Sequence, residues 1–335
     1  MSFSVSAPKA AFLLALVAVS AGAALTDWRA SKREATAEAA FPATGQFVDV
    51  DGVRVHAHVE GSGPDLVLIH GASGNTRDWT LAFIDRVKED YRVIAFDRPG
   101  MGWTDRLPQA RGAWNTRSES PAAQAALLAR AAEKIGVNNP VVLGHSYGGA
   151  VALAWALDHP LSALVIVAGA SNEWEGPLGP LYRINSSLMG GGLAVPLISA
   201  FASYERLDGI LAEIFEPDEV PPGYLEHVGA ALSLRREAMR TNAQQVNGLK
   251  PHLKNMVPRY GEIGVPTEII HGTADTIVPL MTHSDPLSRQ IDGAVLTSLD
   301  GVGHMPQHAR PEAVADAIAR AASRAGLRYP HCPRY

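Results

Sequence analysis

Hydrophobic residues are arranged in three patterns along the chain, and each predicts a different element. Residues 46–60 alternate apolar and polar positions on either side of Asp51-Gly52, the period-two mark of a half-buried hairpin closed by a tight turn. Residues 66–69, 93–96, 141–143 and 164–167 are continuous apolar runs instead. Strands buried on both faces of a helix-covered parallel sheet have that composition, and residues 268–270 and 295–298 continue the series. Helical stretches lie between them. Residues 121–135 open with Ser120 as N-cap and Pro121 at the first helical position, and stop at Gly136. Residues 149–158 are rich in Ala and Leu and end before Pro160, and residues 311–325 form an amphipathic closing helix. The alternation predicts an α/β fold: a doubly wound, mostly parallel eight-stranded sheet opened by an antiparallel hairpin.

Two stretches fall outside the alternation. About a hundred residues separate Gly169 from Pro266, far more than a strand–helix connection needs. They are rich in Gly and Pro at first, then helical over residues 207–215 and 225–247. A helical lid inserted into the sheet domain accounts for them, giving a core of residues 46–170 and 251–328 around a lid of residues 171–250. At the other exception, residues 10–25 are apolar or small and uncharged, with Lys9 before them and Arg29, Lys32 and Arg33 after. The run is shorter than the roughly 20 residues that cross a bilayer upright. It has the length of a signal-peptide apolar region, and Ala21-Gly22-Ala23 supplies a small-residue cleavage pattern. Trp28 and the basic residues behind it fit equally the interfacial belt of an uncleaved anchor. Residues 1–25 are therefore a signal peptide or an anchor, and residues 26–45 a spacer. Either way the folded body belongs to the cell envelope, exported or membrane-associated through residues 10–25.

Composition narrows the partners. With 47% apolar and 19% charged residues the chain buries a large core, which excludes a disordered protein. Lys and Arg number 29 against 34 Asp and Glu, a net charge of −5; no basic stripe is available to meet phosphates, so no nucleic acid is expected. The single cysteine, Cys332, leaves no intramolecular disulfide and no cysteine-based zinc or iron–sulfur site. Neither H-E-x-x-H nor G-x-x-x-x-G-K-[ST] occurs, and no metal or organic cofactor is expected.

The chemistry sits at Gly144-His145-Ser146-Tyr147-Gly148, a G-x-S-x-G motif between an apolar run and an Ala-rich helix. A serine on a sharp strand-to-helix turn projects its hydroxyl from the sheet edge, and the helix N-terminus behind it favours a developing oxyanion. In that context the sequence resembles the α/β-hydrolase superfamily over roughly residues 46–327. The resemblance implies a nucleophile, an acid and a histidine in that chain order. His271-Gly272-Thr273-Ala274-Asp275 looks like the family's acid loop and makes Asp275 the acid; Gly301-Val302-Gly303-His304 looks like its histidine loop and makes His304 the base. His304 would take the proton of Ser146, and Asp275 would fix the imidazole tautomer and stabilise the imidazolium. His70-Gly71-Ala72 resembles the family's oxyanion turn, which assigns the backbone amides of Ala72 and Tyr147 as oxyanion donors.

Several neighbours carry structural readings. His70 is expected as a hydrogen-bonder beneath its loop, Asp97 in Asp97-Arg98-Pro99-Gly100-Met101-Gly102 as a turn residue, and His145 as a packing residue. Asn75, Arg77, Asp78 and Trp79 follow the oxyanion turn, where they either meet substrate or, for Trp79, fill the core. Serine at position 146 argues against the aspartate-dependent dehalogenases and epoxide hydrolases of the superfamily. Hydrolysis of carboxylic esters is the leading expectation. C–C bond hydrolysis and cofactor-free perhydrolysis or haloperoxidation use the same three residues, and a non-catalytic binding module would ordinarily lack one of them. Leu178, Leu181, Leu188, Leu193, Val195, Leu197, Ile198 and Phe201 are expected to line the lid, for a small ester-like substrate with an apolar group.

Overall fold

The computed structural model describes residues 7–327; Cys332 lies outside them. Eight strands form one sheet: β1 (Gln46–Val50), β2 (Val53–Glu60), β3 (Asp65–Ile69), β4 (Arg92–Phe96), β5 (Val141–His145), β6 (Ala163–Val167), β7 (Thr267–Gly272) and β8 (Val295–Leu299), in the order β1-β2-β4-β3-β5-β6-β7-β8. β2 pairs antiparallel with both β1 and β4, and every other pairing is parallel. The opening hairpin turns at Asp51 and Gly52, with φ of 53° and 79°, the two left-handed positions of a type I′ turn.

The helices are α1 (Ala7–Ala40), α2 (Arg77–Thr80), α3 (Phe83–Val87), α4 (Pro121–Lys134), α5 (Tyr147–Asp158), α6 (Pro180–Ser186), α7 (Val195–Phe201), α8 (Tyr204–Phe215), α9 (Tyr224–Val228), α10 (Arg236–Asn247), α11 (Leu249–Met256), α12 (Ser284–Gln290), α13 (Pro306–Ala309) and α14 (Pro311–Arg324). Side chains of the central strands alternate between two cores. Val67, Ile69, Ile94, Phe96, Val142, Leu164 and Ile166 pack with α4 and α5 on one face. Leu66, Leu68, Val93, Ala95, Val141, Leu143 and Val165 pack with α3 and α14 on the other. Burial on both faces is why these strands read as unbroken apolar runs. Ser120 caps α4 by accepting from the Ala123 amide at 3.1 Å, and Gly136 beyond its end takes φ 77°.

The topology reverses at β3. The chain leaves it for β4 on one side and returns to β5 on the other, so the carboxyl ends of β3 and β5 flank the switch point where open α/β sheets form their sites.

Helices α6 to α10 lie between β6 and β7, in the interval read as a lid. α6 and α7 fall in its Gly/Pro-rich part, where no helix was expected. The continuous helix expected over residues 225–247 is broken instead: Gly229 adopts φ 66° and ends α9, and α10 starts at Arg236. A left-handed residue cannot continue a right-handed helix. The expected apolar lining is also corrected. Leu181, Leu188, Leu193, Leu197 and Phe201 are each at least half exposed, and only Val195 among the eight is buried. Residues 26–40, read as spacer, continue α1 as helix; their Ala, Arg, Lys and Glu content favours that state. α1 is long and apolar enough to cross a membrane.

Candidate active site

Ser146 stands at φ 54° and ψ −121° between β5 and α5, a conformation that L-residues rarely adopt and that persists only where the surroundings impose it. Crowding imposes it here. A Cβ on Gly144 would lie 2.2 Å from the Gly148 carbonyl oxygen, and one on Gly148 would lie 2.3 Å from that of Ile69. Backbone bonds then lock the turn: the Ser146 amide donates to Val167 O at 3.0 Å, and its carbonyl accepts from Gly149 at 2.9 Å and Ala170 at 3.0 Å. Because α5 opens at Tyr147 rather than at the expected residue 149, Ser146 sits directly at the positive end of that helix.

Two distant loops meet the serine. His304 Nε2 lies 2.9 Å from Ser146 Oγ, and His304 Nδ1 lies 2.7 Å from Asp275 Oδ2. All three residues are buried. With Nδ1–H donated to the carboxylate, Nε2 is left as the acceptor for the serine hydroxyl. Asp275 Oδ1 accepts from the amides of Ile277 at 2.8 Å and Val278 at 2.9 Å, while Oδ2 also accepts from His271 Nε2 at 3.1 Å. Burial pushes the Asp275 carboxyl up, but hydrogen bonds from His271, His304 and the Val278 amide outweigh it and hold it well below the ordinary carboxylate range.

The turn after β3, with Gly71 and Ala72, lies beside this group. A Cβ on Gly71 would meet Ser146 Cβ at 3.0 Å, so the turn after β3 abuts the turn after β5. Among the described residues, neither the Ala72 nor the Tyr147 amide donates to a protein acceptor. Arg98 braces both. It is fully buried, donates to the carbonyls of His70 and Gly71 at 3.0 Å each, and lays its guanidinium 4.4 Å from the centroid of the Tyr147 ring. Burial lowers its pKa to about 10, which leaves it charged at neutral pH.

Three supporting roles were invisible to motif reading. Arg98 is one. His145 is a second: its Nε2 lies 2.9 Å from the His304 carbonyl oxygen, tying the turn at Ser146 to the loop that carries His304. His271 is the third, as the extra donor to Asp275. The only signal for each of the three was its place inside a quoted motif. His70 meets its structural reading, with Nδ1 2.8 Å from Gly71 O and Nε2 accepting from the Arg98 amide at 2.9 Å. Asp97 accepts from the Thr76 and Trp103 amides and bonds His56, holding turns together. Asn75 and Asp78 reach the lid, through Val228 O at 2.9 Å and the Tyr224 hydroxyl at 2.9 Å. Arg77 bonds Pro42 O, and Trp79 is core. A cleft of about 710 Å³ lies elsewhere, between α1, the turn after β4 and α10, and its lining includes none of Ser146, Asp275 and His304.

Buried neutral histidines give the fold an acid limit. Burial, reinforced by nearby charge, lowers His145 to about 3, His70 to about 4 and His283 to about 4. The unfolded chain protonates these rings near 6.5 while the folded chain does not, so stability is complete above that pH and falls as pH drops toward 4. Each ring contributes on the order of 1 kcal/mol per pH unit. Below about 4 the depressed carboxylates Asp78, Asp97 and Asp275 add a loss of the same sign. Denaturant midpoints should therefore hold steady from pH 8 to 7 and fall steeply from pH 6 to 4.5; a flat profile to pH 4.5 would contradict the buried-neutral assignment.

Comparison with known proteins gives a consistent set. An uncharacterized protein of Mycobacterium tuberculosis is 26% identical over 83% of this chain and 81% of its own length. A 2-hydroxymuconate semialdehyde hydrolase of Pseudomonas sp. strain CF600 is 27% identical over 79% and 89%. Among solved structures, an esterase from Exiguobacterium antarcticum superposes with a TM-score of 0.65 at 20% identity, covering 83% of this chain and 99% of the esterase. A family model described as the alpha/beta hydrolase family matches residues 66–317, a span that runs from β3 through the turn at Ser146 to α14. By that match the chain belongs to the alpha/beta hydrolase family.

Proposed function

We propose that the chain is a serine hydrolase that cleaves carboxylic esters at Ser146. The observation that carries this reading is the relay Ser146 Oγ–His304 Nε2 at 2.9 Å and His304 Nδ1–Asp275 Oδ2 at 2.7 Å. An unaided hydroxyl is a weak nucleophile, and an imidazole in this tautomer accepts its proton as Oγ attacks the ester carbonyl. Asp275, charged throughout the neutral range, stabilises the resulting imidazolium. The carbonyl oxygen becomes an oxyanion beside the free amides of Ala72 and Tyr147, each such donor being worth roughly 10²–10³ in rate. Collapse expels the alcohol, which takes the proton from His304. Water then attacks the acyl-enzyme through the same base and restores the serine. The uncharged apolar run of residues 10–25 supports a place in the cell envelope, exported or anchored, and the substrate proposed is a small ester-like molecule.

One observation favours a second reading: the Pseudomonas relative is named a 2-hydroxymuconate semialdehyde hydrolase, and the same three residues serve C–C hydrolysis of diketone-type substrates. A fluorophosphonate probe and a panel of p-nitrophenyl esters of rising acyl length, run beside a vinylogous diketone acid, separate the two. Ester turnover with labelling at Ser146 is expected, with short-to-medium chains preferred. Diketone cleavage without ester turnover would give the site to C–C chemistry, and neither turnover nor labelling would sink the hydrolase reading.

A further inference from the structure

We propose that the outer apolar ridge of the lid rests in the same lipid bilayer that the N-terminal half of α1 enters. The inference is independent of what the site hydrolyses. Exposed large apolar side chains are concentrated in two places. One is α1, where Phe12, Leu13, Leu14, Leu16, Val17 and Val19 are all more than half exposed. A helix that is apolar all round and covered on no side needs a nonpolar surrounding. Residues 10–26 carry no charge and extend about 26 Å at 1.5 Å per residue, close to the roughly 30 Å hydrocarbon core; Lys9 can reach the far interface along its own stem. At the near end, Trp28 is exposed with Lys32 stacked on its ring, the composition of an interfacial belt.

The second place is the lid. Leu193, Leu197 and Phe201 recur every fourth residue along the turn before α7 and α7 itself, so they form one ridge on one helix face. Each is about half exposed. Leu181 and Ile184 on α6, and Leu188 and Met189 just after it, are about half exposed or more as well.

α1 joins the two. From Thr26 onward it lies on the body: Ala30 and Ala37 are buried against it. Arg29 donates to Ala200 O and Arg33 to Ala202 O, each at 2.8 Å, and the Arg29 guanidinium sits 5.0 Å from the centroid of the Phe201 ring. Arg236 on α10 is bound to Glu34, Asp27 and Ser31. The ridge therefore ends where α1 leaves the protein, at the level of Trp28 and Arg29. A helix that inserts up to that level brings Phe201 to the interface with it. The helix is continuous across residues 7–40, so no hinge separates the inserted half from the clamped half.

The test uses the full chain with Cys332→Ser and one new cysteine, Val17→Cys, Leu197→Cys or Met281→Cys, each carrying an environment-sensitive NBD probe. Met281 is exposed on the sheet domain and serves as the reference. In phosphatidylcholine–phosphatidylglycerol vesicles, a lipid spin-labelled near the headgroup should quench the probe at 197 at least twofold more than the probe at 281. A lipid labelled deep in the chain should quench the probe at 17. A probe at 197 as unquenched as that at 281 overturns the proposal, and so does a probe at 17 that stays in water. Concentration-dependent blue shift at 197 in detergent, with no quenching by spin-labelled lipid, gives the ridge to a second copy of the chain and overturns it too. Thermal unfolding of each variant shows that the fold is intact.

Discussion

Ser146→Ala is expected to remove ester hydrolysis by a factor of about 10⁴ to 10⁶ while the protein remains folded. The two effects separate for a structural reason. Alanine keeps the Cβ, so the left-handed turn at position 146 carries the same strain before and after the change. Only one hydrogen bond is lost, that to His304 Nε2, which is worth about 1 kcal/mol. The loss of activity reflects the missing bond-forming atom, and the surviving rate reflects the Ala72 and Tyr147 amides together with substrate binding. Progress curves on the best p-nitrophenyl ester, with denaturant unfolding on the same preparation, measure both. A variant that retains more than a hundredth of the rate would remove Ser146 from the chemistry.

Asp275→Asn is expected to lower kcat by roughly 10³ to 10⁴ with KM nearly unchanged. The hydrogen-bond pattern dictates the direction. The Ile277 and Val278 amides need an acceptor, so they hold the carboxamide oxygen at the Oδ1 position. That leaves an NH₂ group at the Oδ2 position, facing N–H donors from both His304 and His271. His304 resolves its half of the conflict by moving its hydrogen to Nε2, where it blocks acceptance of the serine proton. His271 still holds Val278 O at 2.7 Å, so one donor pair stays opposed, and a stability loss of about 1–3 kcal/mol accompanies the fall in rate. Fluorophosphonate labelling should slow in parallel. Labelling at a tenth of the native rate or faster would show that the carboxylate does not set the tautomer.

The sheet and the turn at Ser146 were readable because their causes are local. A strand buried on both faces has to be apolar throughout, and the crowding at Ser146 demands glycine two residues before and two after it. The meeting of Ser146, Asp275 and His304 was readable only through resemblance, since no local pattern tells a loop near residue 304 that it will reach residue 146. What was missed depends on distant partners. Arg98 in a turn sequence looks like any exposed arginine until its acceptors on the turn after β3 are known. His145 and His271 are anonymous for the same reason. The lid was misread where glycine acts in two ways: Gly229 does end a helix, whereas the glycines before α7 did not prevent one. The apolar lid residues were assigned inward because composition reports that a side chain is apolar and not which way it faces.

The backbone at Ser146 has a consequence beyond this reaction. Its shape is set by Gly144 pressing on Gly148, by Gly148 pressing on Ile69 and by main-chain bonds to Val167 and Ala170; the serine hydroxyl takes no part in it. The turn is thus a socket that presents whatever side chain is placed there to the same imidazole and the same pair of amides. One codon at 146 can exchange oxygen for sulfur or a carboxylate while the scaffold stays as it is, so in this architecture the reaction type and the fold are free to evolve separately.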